Sequence, residues 1–151
     1  MLPLILMENT FSETGDLIIN GNITNKNNGD EYVIKKSQMD RMEKTVITTG
    51  TSWTPVSDFE GVKVSSILSL VGANGDTLSM HAINDYEVDI PVSDVSKYQI
   101  ILATKINGML ITTRDYGPYF VIYPRDEYRE ELDRPKFLAR FIWQVDKITV
   151  K

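Results

Sequence analysis

Short apolar runs separated by turn chemistry dominate this chain. Residues 15–23 (GDLIINGNI) predict a first strand, with Gly21 placed for a bulge. The polar cluster 25–30 (NKNNGD) carries an Asn28-Gly29 turn pair and leads to a short strand at 31–34. At 37–42, Met39 and Met42 lie three apart and predict one or two helical turns, with Ser37 as N-cap. The β-branched run 45–49 (TVITT) predicts a buried strand, and 50–61 (GTSWTPVSDFEG) a polar, aromatic loop. The period then changes. Within 62–71 (VKVSSILSLV), Val64, Ile67, Leu68 and Val71 fall at i, i+3, i+4 and i+7, an amphipathic helix closed by Gly72.

The second half returns to strands. Residues 78–83 and 86–90 are two strand candidates joined by Asn84-Asp85. In the second, Tyr86, Val88 and Ile90 alternate with Glu87 and Asp89, and Pro91 ends it. Ser93-Asp94-Val95 suggests a short helical turn. The apolar strand 99–104 runs towards Asn107-Gly108, a strong hairpin signal. A buried strand at 119–123 (YFVIY), a charged excursion at 126–135 and an alternating strand at 145–150 complete the chain. Many strands with few helices predict a single α+β domain over 15–151 with a strand-rich mixed sheet. Residues 1–14 are set apart as an N-terminal tail or signal-peptide remnant, because the apolar run 2–7 is too short to span a bilayer.

Composition narrows the chemistry. The chain has 151 residues, a size that suits one domain. Sixteen Lys and Arg against twenty-one Asp and Glu give a net charge of −5, which argues against a nucleic-acid partner and an anionic membrane surface. There is no cysteine, so disulfides, thiolate nucleophiles and thiolate metal ligands are excluded. With one histidine, His81, a His-rich zinc site cannot be built, and a Ser–His–Asp triad would have to use it. Lying mid-strand, His81 is read as structural.

The order of the motifs points further. A β-branched strand precedes a loop bearing Trp53. Phe59-Glu60-Gly61-Val62 leads into the amphipathic helix, and Asn84-Asp85-Tyr86 precedes an alternating strand. Ile106-Asn107-Gly108-Met109 is followed by Gly117-Pro118 and an apolar strand ending Tyr123-Pro124. Arg140-Phe141-Ile142-Trp143 precedes the last strand. In this order, over 18–150, the chain resembles the molybdopterin-binding domain of sulfite-oxidase-like oxidoreductases. In the catalytic members a cysteine before the Trp-bearing loop ligates molybdenum. Counting back from Trp53 puts that position near Thr49, whose hydroxyl is a poor substitute for a soft thiolate. The family's fuller cofactor-anchoring sequences are also missing.

Within the family, the chain is similar to small, cysteine-free, exported bacterial proteins that look like pterin-binding reporters to membrane-bound signalling enzymes. Those enzymes include ones that make or degrade cyclic di-GMP. The resemblance implies a non-catalytic, periplasmic pterin sensor whose partner is the periplasmic domain of such an enzyme. It implies no catalytic cofactor and no molybdenum. Two alternatives stay open: a molybdenum-cofactor-dependent oxidoreductase, and an adaptor domain with no small ligand.

A pterin needs an aromatic or apolar face to stack on; a carboxylate can accept two hydrogen bonds from its guanidine-like edge, and backbone groups and hydroxyls can satisfy its other polar atoms. Thr51, Ser52 and Trp53 offer hydroxyls and a stacking plane; Asp85 and Tyr86 offer a carboxylate beside an aromatic ring. Arg114, Asp115, Tyr116 and Gly117 offer a second polar, aromatic loop, and Arg140 and Trp143 complete the candidate set. Seven of them have a structural alternative: Trp53, Tyr86 and Trp143 as core cover, Asp85 as a turn residue, Arg114 as a solvated loop charge, Asp115 as the ion-pair partner of Arg114, and Arg140 as the partner of an acid in the charged excursion.

Overall fold

The computed structural model describes residues 14–151. Most of the proposed tail, residues 1–13, lies outside the described residues. Among the described residues the strands form two five-stranded sheets. The first has the order β2-β1-β10-β5-β6, with β1 Leu17–Gly21, β2 Tyr32–Ile34, β5 Thr77–Ala82, β6 Glu87–Pro91 and β10 Val145–Val150. It is mixed, because β1 runs parallel to β10 while the other pairs are antiparallel. The second is antiparallel. It comprises β3 Thr45–Thr49, β4 Ser57–Lys63, β7 Ile101–Ile106, β8 Met109–Leu110 and β9 Phe120–Ile122. Both β8 and β9 pair with β7, one at each end of it. The fold is α+β.

Helices α1 Lys36–Arg41, α2 Val64–Val71 and α3 Val92–Tyr98 connect strands, and the short α4 Arg129–Leu132 and α5 Pro135–Leu138 occupy the charged excursion. Helix α2 buries Val64, Ile67 and Val71, the face its spacing predicts, and Gly72 closes it in the left-handed conformation. Strand burial follows the period of two. Leu78, Met80 and Ala82 of β5 and Ile148 and Val150 of β10 face a core that also holds Phe59, Phe120, Tyr123 and Phe141. The two sheets meet where Tyr119 bridges Val145 and the Val121 amide donates to Ile142 O at 2.8 Å. Among the described residues no helix is long and apolar enough to cross a membrane.

Four sequence expectations need correction. Residues 50–61 are not all loop: β4 starts at Ser57 and buries Phe59 completely. Gly61 belongs to that strand, since a side chain there would meet Leu102 O at the β4–β7 bulge. The β3 strand is not wholly buried. It is a sheet edge, and Val46 is more than half exposed. Helix α1 begins at Lys36 with no side-chain cap, so Ser37 is not its N-cap. Tyr86 does not join Val88 and Ile90 in the core. Asp85 turns the chain with φ 68°, β6 starts only at Glu87, and Tyr86 is exposed.

Candidate functional site

Three chain segments meet around a cleft of about 280 Å³ lined by Trp53, Ala82, Asn84, Tyr86, Ala139, Phe141, Ile142 and Trp143. The first is the tight turn after β3. Thr51 Oγ1 accepts from the Trp53 amide at 3.1 Å and the Thr54 amide at 3.0 Å, and it bonds the Thr54 hydroxyl at 2.8 Å. This hydroxyl-capped turn commits Thr51 to the backbone and presents Trp53, about half exposed, at the cleft. The indole is braced edge-on by Phe120 at 6.4 Å and by Trp143 at 6.2 Å. Tyr116 stacks on Phe120 at 5.0 Å, meets Trp143 at 5.7 Å and donates its hydroxyl to Trp53 O at 3.4 Å. The result is a box of four rings with Trp53 and Trp143 on the open side.

The second segment is the β5–β6 turn. Asn84 Oδ1 accepts from the Tyr86 amide at 3.1 Å, an Asx turn that places both side chains on the lining. Asp85, at the apex, points its carboxylate to His81 instead: Oδ1 lies 2.9 Å from Nε2. The other imidazole nitrogen, Nδ1, lies 2.7 Å from Asp146 Oδ1 on β10. The Asp146 bond raises the His81 pKa above its ordinary value; burial works against that shift and the Asp85 bond adds to it.

The third segment, 139–143, runs from α5 to β10. Arg140 does not line the cleft. Its Nη1 donates to Asp94 Oδ2 at 2.8 Å, and its guanidinium lies over the Phe137 ring at 5.0 Å. The Tyr123 hydroxyl donates to the same Asp94 oxygen at 2.7 Å, and burial holds that phenol well above its ordinary pKa. The expected partner of Arg140 in the charged excursion is thus replaced by an acid on α3, 46 residues away.

Of the residues singled out in the sequence, the cleft therefore brings together Trp53, Tyr86 and Trp143. Tyr116 stands behind them. Asp115 is not paired with Arg114 among the described residues. Its Oδ1 accepts from the Thr112 and Tyr116 amides and closes the turn that leads to Gly117. Gly117 packs against Ile111 O and Thr112 O, where a side chain has no room. Ser52 and Arg114 are exposed and outside the lining, and so is the Asp85 carboxylate. Among the described residues no carboxylate lines the cleft; Asn84, which the sequence marks as a turn and motif residue but not as a site residue, is on its lining.

Thr49 answers whether a molybdenum centre of the resembled type fits. Its side chain is fully buried, and its hydroxyl donates to Gly50 O at 3.1 Å and accepts from the Asp126 amide at 3.0 Å. The oxygen is a structural link between β3 and the α4 region. With no thiolate in the chain, the residues at this position do not fit such a centre.

The chain matches no protein-family model and no curated protein. A solved structure does match: the sulfane dehydrogenase SoxCD from Paracoccus pantotrophus, with 16% identity and a TM-score of 0.68. The likeness covers 89% of this chain and 37% of that one, so the chain spans little more than a third of its neighbour. At this identity the likeness is one of fold.

Proposed function

We propose that the chain is a non-catalytic binding protein that holds a pterin in the aromatic cleft and reports its presence to a membrane partner from the periplasm. The observation that carries the reading is the convergence of Trp53, Tyr86 and Trp143 on one small cleft. At about 280 Å³ it lies just below the usual range of ligand pockets, which suits a bicyclic ring system and not a whole dinucleotide. Aromatic edges and faces suit a flat heterocycle, and the Asn84 amide supplies a donor and an acceptor for its edge. The sulfite-oxidase-like resemblance supports the pterin class, and the committed hydroxyl of Thr49 supports binding without molybdenum. The signalling partner, in this reading the periplasmic domain of a cyclic di-GMP enzyme, rests on the resemblance alone.

Calorimetric titration with dihydrobiopterin tests the reading. Base–aromatic stacking is worth about 1–3 kcal/mol, so Trp53→Ala should weaken binding about five- to 150-fold. Trp53 is about half exposed, so the variant should keep its fold. Unchanged affinity in Trp53→Ala would place the ligand elsewhere. No binding by the wild-type chain, with native mass spectrometry of protein from its own host showing no retained small molecule, would favour the adaptor reading. Near-stoichiometric molybdenum in the same material would restore the oxidoreductase.

A further inference from the structure

We propose that His81 is a proton-operated latch on the cleft: its imidazolium ties Asp85, at the apex of the β5–β6 turn, to Asp146 on β10, and losing the proton lets go of the turn that carries Asn84 and Tyr86. The geometry requires a proton on each nitrogen for both contacts to be attractive. Nδ1 lies 2.7 Å from Asp146 Oδ1 and Nε2 lies 2.9 Å from Asp85 Oδ1, and both acceptors are carboxylates. A neutral imidazole has one N–H, so one carboxylate must then face a lone pair. The contact that fails is the one to Asp85. It is the longer of the two, and the Asp85 side chain is 91% exposed against 36% for Asp146, so water replaces it more readily.

The groups around the imidazole fix the direction. Glu87 of β6 and Lys147 of β10 are the cross-strand partners of His81, and Asp85 and Asp146 hold its nitrogens. No other residue of β5 titrates. The carboxylates outnumber the single ammonium, so the proton is retained above the ordinary histidine value, with the Asp146 bond as the main cause and Lys147 and burial opposing. The latch is therefore closed on the acidic side and opens as pH rises through that raised value. His81 acts through the turn and touches no ligand, which makes it a positioning residue. That the turn governs a ligand rests on the cleft reading above; that the proton governs the turn does not.

Amide hydrogen exchange on the whole chain tests the latch without any ligand. The reporters are the Asp85 amide, bonded to Ala82 O at 2.9 Å, and the Ala82 amide, bonded to Tyr86 O at 2.9 Å. The Val121 amide, bonded to Ile142 O, is the reference. Protection factors already remove the base catalysis of exchange. For a largely exposed contact the turn amides should lose about two- to fivefold in protection, relative to Val121, between about pH 5.5 and about pH 8.5. The midpoint should match the imidazole resonance of His81. In His81→Gln and in Asp85→Asn the pH dependence should vanish. Asn tolerates the left-handed conformation at the apex, so the second variant keeps the turn. Protection that stays constant with pH in the wild-type chain, or that changes equally in Asp85→Asn, overturns the latch. Dihydrobiopterin affinity should follow the same midpoint, two- to fivefold tighter at about pH 5.5. Absence of binding at both pH values overturns the cleft reading, and the exchange data still decide the latch.

Discussion

The two walls of the cleft are each anchored by a charged hydrogen bond to a carboxylate, and the anchors differ in what surrounds them. The 139–143 wall hangs on Arg140, paired with Asp94 where both side chains are nearly buried, at 14% and 11% exposed. Tyr123 adds a second donor and Phe137 a ring. The β5–β6 wall hangs on His81, whose partner Asp85 is almost wholly in water. A guanidinium keeps its charge at any working pH, and an imidazole does not. Desolvation makes the first anchor costly to break, and solvation makes the second cheap to release. One wall is a fixed reference and the other is adjustable. A backbone bond from Ile83 to Gln144 O at 3.0 Å joins them at the base.

The comparison is broken most directly at Asp94. Asp94→Asn leaves Arg140 buried with its charge unmatched, a change that costs about 3–5 kcal/mol. For a domain of this size the melting temperature should fall by roughly 6–20 °C in scanning calorimetry. A wild-type melting point would make the two anchors equivalent. Tyr123→Phe comes next. It removes one buried donor to Asp94 and should cost about 1.5–3 kcal/mol in urea unfolding, with the m-value unchanged. Loss of less than half a kcal/mol would show that Arg140 alone satisfies Asp94.

The smallest effect belongs to the adjustable wall. Asp146 is about a third exposed, so Asp146→Asn should cost about 0.2–1 kcal/mol, and less at high salt. The sign of its pH dependence is fixed. The folded pKa of His81 is raised, so its contribution is fully present below the ordinary value of 6.5 and is lost as pH rises through the raised value. Denaturant titrations should show wild-type stability falling slightly over that window. The slope should shrink in Asp146→Asn. A steeper fall in the variant, or a rise with pH in the wild type, contradicts the anchor.

The elements that the sequence made legible are those whose signals are local. Helix α2 combines a period near 3.6 with a glycine stop, and Asn107 and Gly108 both take the positive φ that the β7–β8 hairpin demands. Strand β4 escaped because two of its inward positions are Ser57 and Gly61, which do not look like core residues. Its alternation is visible only once Asp58 and Glu60 are seen to face out. The β3 edge escaped because β-branched composition does not say how many neighbours a strand has. At the cleft, Trp53 and Trp143 were legible as aromatic residues next to polar loops. The anchors were not: Arg140–Asp94 and His81–Asp146 close over 46 and 65 residues, and His81–Asp85, four residues apart, forms only because the turn folds Asp85 back on the strand.

The chain contains two tryptophans, and both stand at the cleft with ring centroids 6.2 Å apart. Every photon the protein emits from an indole therefore originates within one site. Two indoles this close and nearly perpendicular couple their transitions, so circular dichroism should carry a paired band that belongs to the cleft alone. Trp53→Phe and Trp143→Phe should each abolish it. The molecule comes with its own optical probe, placed where a flat ligand would quench it.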